Sequence, residues 1–448
     1  MGAETEALKI KRAILTNNDG SKSEEIGEYI TSFDYYEDLL SPCVTGYLRI
    51  RNTTGLYNQL PIRSGERFDV ELNTLIGGVF EFKDDNPLYV TAVNNYISVE
   101  NTESFDLQVA SKAAIDNEML RCVKKYSNQA KISEHVETIL KEILQIPEER
   151  LQHNVGTEDN PQYEPNIETA VNTYGFYGNL RKPFSVCTWL GPKAIPQAEG
   201  ATNTSGEGET GEAKGVGGYF FFENYEGFWF KSIEGLVSKT TEPVGGSEKE
   251  IPVFAYTSVL EAGHLSSNTQ KIIQYVLEKN TDLIKNLRVG LYSNQTYFFD
   301  AYTHQLDAFK YNMKEQLKNQ LGTESDLGLP DFFTNVPSRI LIRASDKGMF
   351  SDTIGENSGR ENADMAKSFS RYNLLFTQSL NINVPLNTTL QIGQVIKVVL
   401  PAVESNTNKE SKADESGSGI YLIRSLRHHF EVGKATTSLT LVRDSYGL

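Results

Sequence analysis

The first hundred residues of the chain alternate hydrophobic and polar positions with a period of two. In the segment 67–72, Phe68, Val70 and Leu72 alternate with charged residues. This alternation predicts a strand with one buried face. Segments of the same kind begin at Val44, Leu88 and Ser104. Four short strands at turn-sized spacing predict a small antiparallel sheet or barrel.

The middle of the chain changes to a mixed pattern. Hydrophobic residues recur with a helical period in 132–144, and a second helix is predicted to begin at Pro183. Residues 197–216 are rich in Gly, Ser, Thr and Glu and predict a flexible surface loop.

An aromatic hairpin follows that loop, with strands at 219–222 and 228–230 around a polar turn. Both faces of each strand are aromatic, which favours a hairpin buried on both sides. Its structural positions are Tyr219, Phe221 and Trp229. The alternative is an exposed aromatic platform that binds sugars.

The last third of the chain combines predicted helices and strands. Helical segments are predicted from Ile272 and from Phe309, with a hairpin between them around Ser293-Asn294. Four strands then follow. They begin at Ser379, Gln394, Ile420 and Thr436.

The two ends of the chain resemble each other, which predicts an internal repeat. The matched segments are 63–72 with 391–400, 88–99 with 420–432, and 104–111 with 438–445. The structural positions matched are Gly65 with Gly393, Phe68 with Ile396, and Val70 with Val398. Each glycine precedes a strand and is expected to supply a turn with positive φ. Generic sheet patterning is the alternative explanation of the match.

Composition limits the classes of function. The 448 residues are 39% hydrophobic, and 43 basic residues against 59 acidic ones give a net charge of -16. This balance argues against a general nucleic-acid binder, whose surface would carry a basic patch. No apolar stretch approaches 18 residues and the N-terminus lacks a signal-peptide pattern, so no membrane insertion is expected.

Candidate catalytic chemistry is sparse. The sequence has no Gly-x-Ser-x-Gly elbow, His-Glu-x-x-His helix or phosphate-binding glycine loop. His428 and His429 are adjacent, so on a strand they point to opposite faces and do not readily share a metal. We therefore predict no enzyme activity, no catalytic residue, no cofactor and no metal. A glycan hydrolase with two carboxylates remains the enzymatic alternative.

Three segments together resemble a known family. They are YYEDLLSPCVTGYLRIRNTTGLYNQLPIRSGERFDVEL at 35–72, GGYFFFENYEGFWFKSIEGL at 217–236, and SGIYLIRSLRHHF with TTSLTLVRD near the C-terminus. In this order they resemble the central baseplate hub protein of contractile-tailed, T-even-like bacteriophages. The resemblance covers most of the chain and leaves out the loops at 197–216 and 402–418.

The resemblance implies an α+β fold with two similar antiparallel, tail-tube-like β-barrel domains and inserted mixed α/β domains. It implies a homotrimeric, pseudo-sixfold ring that joins a trimeric central spike, which can carry a lysozyme, to the hexameric tail tube. Tube-initiator and surrounding baseplate proteins are further implied partners. Phage DNA would pass through without specific binding. The implied location is the virion baseplate, with host cytoplasm during assembly.

The sequence divides on this basis into four expected parts. They are a first barrel at 1–112, a mixed α/β domain at 113–250, a second barrel at 251–312 and 371–448, and an inserted helical segment at 313–370. A hub-like component of a type VI secretion spike or another contractile-injection spike is the nearest alternative. One hypothesis follows from the net charge: an acidic passage wall would keep DNA from adhering.

Overall fold

The computed structural model describes most of the chain, in thirteen stretches. They are residues 9–74, 76–156, 160–197, 217–237, 251–256, 268–279, 282–300, 304–316, 321, 330–345, 367–402, 413–431 and 433–445. The predicted loop at 197–216 lies outside them apart from its first residue, and so does most of 402–418.

Strands make up most of the regular structure. They are β1 (Lys9–Thr16), β2 (Ser23–Glu25), β3 (Ile30–Asp38), β4 (Thr45–Asn52), β5 (Arg67–Asn73), β6 (Val79–Phe82), β7 (Leu88–Val99), β8 (Thr102–Ser111), β9 (Lys125–Tyr126), β10 (Gln152–Asn154), β11 (Tyr163–Pro165), β12 (Phe176–Tyr177), β13 (Tyr219–Glu223), β14 (Phe228–Ser232), β15 (Val253–Tyr256), β16 (Lys271–Ile272), β17 (Gln274–Lys279), β18 (Ser293–Asp300), β19 (Gln305–Asn312), β20 (Arg339–Ser345), β21 (Gln378–Pro385), β22 (Val395–Val399), β23 (Gly419–Glu431) and β24 (Lys434–Arg443).

The helices are short. They are α1 (Leu56–Gln59), α2 (Lys112–Met119), α3 (Ile132–Thr138), α4 (Pro183–Leu190), α5 (Ile233–Val237), α6 (Leu283–Val289), α7 (Met313–Gln316), α8 (Asp331–Asn335) and α9 (residues 367–374). A π-helical turn, Ile139–Ile143, continues α3. Within the described stretches, no helix is both long enough and apolar enough to cross a membrane.

One large sheet holds fifteen of the described strands. Its main path runs β2-β1-β5-β7-β8-β4-β3-β23-β22-β15-β16, with β6 beside β5. A branch continues from β23 through β24 and β21 to β17. A separate three-stranded sheet has the order β19-β18-β20. The protein is therefore a mixed α/β structure that consists mainly of sheet.

The two halves of the large sheet have the same strand order. The order β5-β7-β8-β4-β3 in the first half recurs as β22-β23-β24-β21-β17 in the second. The Gly65 amide donates to the Val90 carbonyl at 2.7 Å, and the Gly393 amide donates to the Ile423 carbonyl at 3.0 Å. Both glycines have positive φ, 100° and 83°. The repeat in the sequence thus corresponds to a repeat in strand pairing.

The halves are joined directly to each other. Ser425–Glu431 of β23 pairs antiparallel with Ser32–Asp38 of β3, so one sheet continues into the next. For this reason the described residues contain no closed barrel, and the expectation of two separate barrels is not confirmed.

Two hydrophobic cores lie on either side of the aromatic hairpin β13–β14. Phe220, Phe222 and Trp229 point into the first core, which also contains the inner faces of both sheet halves. Tyr219 and Phe221 point into the second core, between the hairpin and helices α3 and α4. The hairpin is therefore buried on both sides, as the sequence favoured.

Some elements differ from the prediction. The segment from Ile272 is not helical; it contains strands β16 and β17, and α6 begins only at Leu283. The segment from Phe309 continues strand β19 before the short helix α7. Residues Ser293-Asn294 begin strand β18 rather than forming a turn. The first two segments contain strands with an exposed face, where apolar residues three or four apart suggest a helix.

Candidate functional site

Eight consecutive strands form a continuous face that does not contact the core. They are, in order, β17, β21, β24, β23, β3, β4, β8 and β7. Their core-facing residues are buried, and the alternate residues form what we call the polar face. On β21 and β24 the polar face includes Ser379, Asn381, Asn383, Thr436, Ser438 and Thr440. A groove of about 600 Å³ crosses the six strands from β17 to β4.

The polar face carries as many acidic as basic side chains among the described residues. The acidic ones are Asp34, Asp38, Asp106, Glu278 and Glu431, and the basic ones are Arg49, Arg51, Arg424, Arg427 and Lys434. The net charge of -16 is therefore not concentrated here. The hypothesis of an acidic wall finds no support on this face.

Most of these arginines are paired with an aspartate on a neighbouring strand. Arg49 Nε lies 3.0 Å from Asp106 Oδ1, and Arg427 Nε lies 2.8 Å from Asp34 Oδ1. Burial alone would raise the pKa of Asp106, but hydrogen bonds from Asn95, Tyr47 and Arg49 lower it below its usual value. Asp106 is therefore ionised at neutral pH.

The two adjacent histidines lie on opposite sides of β23. His429 is on the polar face, with Nδ1 2.6 Å from Asp34 Oδ1. His428 is buried, and burial lowers its pKa to about 3, so it is neutral. Among the described residues, no group of three or more His, Cys, Asp or Glu side chains is arranged to hold a metal ion.

The polar face ends in two open strand edges. The edge of β23 that faces away from β24 is occupied and serves as the comparison: Gly419–Leu422 pairs with β22, and Ser425–Glu431 pairs with β3. On the corresponding edge of β7, only the first residues pair with β5, and the described residues provide no partner beyond Val90. At the far end of the sheet, β17 pairs with β21 on one edge, and the described residues provide no strand for its other edge.

Exposed hydrophobic residues mark both open edges. Ile97 and Val99 of β7 are 58% and 63% exposed, and Val276 of β17 is 49% exposed. Unpaired strand edges present free amide and carbonyl groups and readily pair with another chain. Within the described residues, both edges therefore combine unpaired backbone groups with exposed apolar side chains.

A buried carboxylate connects the two sheet halves to the aromatic hairpin. Glu37 of β3 accepts hydrogen bonds from the Tyr35 hydroxyl at 2.8 Å, the Tyr225 amide at 2.6 Å and the Ile392 amide at 3.1 Å. Tyr225 lies in the hairpin turn, and Ile392 lies just before β22. Burial raises the pKa of Glu37 to about 7, although these three hydrogen bonds lower it.

We expect this carboxylate to make stability depend on pH. Between about 4.5 and 7 the folded chain keeps a proton on Glu37 that the unfolded chain releases. Rising pH should therefore lower the free energy of unfolding through this window, by at most about 3 kcal/mol, and the effect should level off above it. Urea unfolding at several pH values would measure this slope.

The variant Glu37→Gln, which cannot ionise, should show a smaller slope between these pH values than the native chain. Glu431→Gln, which changes an exposed carboxylate, is the matched control and should keep the native slope. An unchanged slope in Glu37→Gln would contradict the assignment.

The structural positions from the sequence repeat are all in the core or beside it. Phe68, Val70, Ile396 and Val398 are no more than 2% exposed, and the glycines form the turns before β5 and β22. None of them lies at an open edge or on the polar face. They support the sheet and do not form the contact surface.

The aromatic hairpin does not present a sugar platform. Trp229 is 8% exposed, and its Nε1 donates to Asn224 Oδ1 at 2.8 Å. Its ring lies against Phe222 and His153. Because the ring is enclosed, the aromatic-platform alternative is wrong for this hairpin.

Comparison with solved structures identifies the fold. A tail protein from Neisseria meningitidis matches 97% of this chain and 96% of its own length, with a TM-score of 0.50 and 11% identity. The 43 kDa tail protein of prophage MuSo2 from Shewanella oneidensis matches 97% and 99%, with a TM-score of 0.51 and 11% identity. This chain has the fold of phage tail proteins. The recognition from the three sequence segments is thereby confirmed at the level of the tail-protein fold.

The tail-protein fold extends over nearly the whole chain, including both sheet halves and the hairpin between them. A type VI secretion system component from Escherichia coli also matches, with a TM-score of 0.45, 10% identity, and coverage of 98% of this chain and 78% of its own. No family model and no curated protein sequence matches the chain.

Proposed function

We propose that the chain is a structural, non-enzymatic subunit of a phage tail baseplate, a hub that assembles as a homotrimeric ring. In this proposal the ring joins the trimeric central spike to the hexameric tail tube and surrounds the path of the DNA. The tail-protein fold supports the general class. The ring and its partners are implied by the sequence resemblance.

The open edges of the sheet are the observation that carries the proposal. Within the chain, β3 pairs with β23 directly beyond β22. By the repeat, β7 corresponds to β23 and β17 corresponds to β3. The vacant edge of β7 would therefore accept β17 of a second copy, in the same way that β23 accepts β3.

The repeat also supplies the register of that contact. His429 lies opposite Asp34 at the junction within the chain. Strands β8 and β24 are equivalent in the two copies, and the residues paired with them on neighbouring strands are equivalent too. On this basis Ile97 of β7 is equivalent to His429 of β23, and Val276 of β17 is equivalent to Asp34 of β3. Ile97 of one chain would thus lie opposite Val276 of the next. Two exposed hydrophobic residues would cover each other at each joint between chains.

This contact is head-to-tail, because one edge of a chain pairs with the opposite edge of the next chain. Such an assembly leaves no edge unpaired only when the chains form a ring. Each chain would supply two similar units. We propose that the first comprises residues 1–112 and the second comprises residues 251–312 and 371–448. Three chains then present six units, which fits a trimeric spike on one side and a hexameric tube on the other. Tube-initiator and surrounding baseplate proteins would contact the outside.

Native mass spectrometry of the purified chain tests this proposal. We expect a species of three times 50.1 kDa. The variant Ile97→Cys with Val276→Cys should form disulfides between chains under mild oxidation and give a covalent trimer on a denaturing gel, because paired strands bring Cα atoms within disulfide range. Tyr163→Cys with Leu180→Cys, at two exposed positions outside the large sheet, is the control. A chain that stays monomeric at micromolar concentration would refute the ring.

A further inference from the structure

Three of the four arginines on the polar face are paired with an aspartate. Arg49 and Asp106 face each other across β4 and β8. Arg427 of β23 reaches Asp34 of β3, and Arg424 Nη2 lies 3.7 Å from Asp38 Oδ2. In each case the guanidinium is paired with a carboxylate from the neighbouring strand. At these three points the face is locally neutral.

The second half of the sheet reaches the same result with uncharged residues. The position that corresponds to the Arg49–Asp106 pair is Asn383 of β21 opposite Ser438 of β24. One copy of the repeat has a charge pair here and the other has an amide and a hydroxyl. Both arrangements have zero net charge at the same point of the sheet. The net charge of -16 of the chain is therefore carried by residues outside this face.

We propose that the polar face is the wall along which nucleic acid passes, and that its aspartates keep it from adhering by holding the arginines. This inference rests on the proposed ring, in which the face would line the passage. A free arginine on the wall would bind phosphate and release counterions, which favours adhesion. An arginine already bonded to aspartate offers no net charge to a phosphate. On this proposal the wall resists adhesion because three of its four arginines are held by aspartates, and an excess of acid is not required.

The decisive variant is Asp34→Asn with Asp106→Asn, which frees Arg427 and Arg49 without changing side-chain size. Asparagine can still accept a hydrogen bond through its amide oxygen. The matched control is Asp69→Asn with Glu118→Gln. It removes the same charge from two ion pairs outside the polar face, with Arg67 and Lys182.

Binding of a short fluorescent DNA duplex is measured by anisotropy. We expect the polar-face variant to bind at least about tenfold more tightly than the control at low salt. Two freed arginines should make its binding about tenfold weaker between about 50 and 200 mM salt. Adding Arg49→Gln and Arg427→Gln should remove the gain. Circular dichroism and thermal unfolding of each variant establish that it is folded.

The possible outcomes separate this inference from the proposed ring. Equal DNA affinity of a folded polar-face variant and its control would overturn the inference, even in a chain that forms trimers. Gain of affinity in a trimeric chain supports it. A gain of DNA affinity in a chain that native mass spectrometry finds monomeric would overturn both the proposed ring and the proposal that the polar face lines its passage.

Discussion

A chain carrying both Ile97→Lys and Val276→Lys is expected to be a folded monomer. Both residues are about half exposed in the isolated chain, so lysine at either position should have little effect on its stability. In the proposed ring the two lysines would lie directly opposite each other at each joint between chains. Like charges opposed across paired strands are destabilising, and here they also replace an apolar contact. Native mass spectrometry would measure the loss of the trimer.

The matched variant is Ile97→Lys with Val276→Glu. Each joint would then oppose a lysine and a glutamate, so this chain should assemble better than the double-lysine chain. The comparison tests the register itself, because only residues that face each other respond to the sign of the second charge. Equal assembly of the two variants would place the joint elsewhere.

Glu223→Ala is expected to lower the free energy of unfolding by about 3–5 kcal/mol. Glu223 of β13 is 1% exposed, and it accepts hydrogen bonds from Arg150 at 2.8 Å, Ser111 at 2.7 Å and the Val44 amide at 3.0 Å. Removing the carboxylate leaves the nearly buried Arg150 guanidinium without its partner. Urea unfolding at neutral pH would measure the loss.

The control for this variant is Glu118→Ala. Glu118 forms an ion pair with Lys182 in which both side chains are substantially exposed, so its loss should cost no more than about 1 kcal/mol. Adding Arg150→Met to Glu223→Ala should recover part of the loss, because no charge is then left buried. Similar losses in the two alanine variants would show that Glu223 and its buried partners contribute no more to stability than an exposed ion pair.

The strongly alternating strands and the aromatic hairpin could be predicted from the sequence. In β5 and β22 one face is fully buried, so apolar residues recur at every second position. Helix α4 begins at Pro183 as predicted, because proline at the first helical position fixes a suitable φ. Local rules were sufficient where burial followed a simple period.

The strand that joins the two halves was not found from the sequence. The core face of β3 includes Glu37, and its polar face includes Tyr36, so hydrophobic and polar residues do not alternate cleanly. The identification of β17 as a strand failed for a related reason. It lies at an edge, where Val276 is exposed instead of buried. Strand β7 was predicted, but the β17 edge of the proposed contact was missed because its residues depart from the pattern of a core strand.

The register of the third repeated segment also needed the structure. The sequence match placed 104–111 on 438–445. Strand pairing instead places Val109 opposite Val90 and Leu441 opposite Ile423, which shifts this segment by two residues. The β-bulge after Val90 in β7 has a counterpart after Ile423 in β23, but β7 has a second irregularity between Asn94 and Ile97 that β23 lacks. The two copies therefore differ in length at this point, which an ungapped alignment does not register. The alternation alone could not detect a shift of two, because it preserves which face is buried.

The joint between β23 and β3 has a further consequence for assembly. Six separate copies of a single unit would have to form six joints by collision, and each would lose translational and rotational freedom. In three chains with two units each, half of the joints form during folding, at the high effective concentration of tethered segments. In the proposed ring, joining the two units in one polypeptide would therefore reduce the entropic cost of closure. The joint formed within each chain can then be polar, while the joints between chains would be apolar.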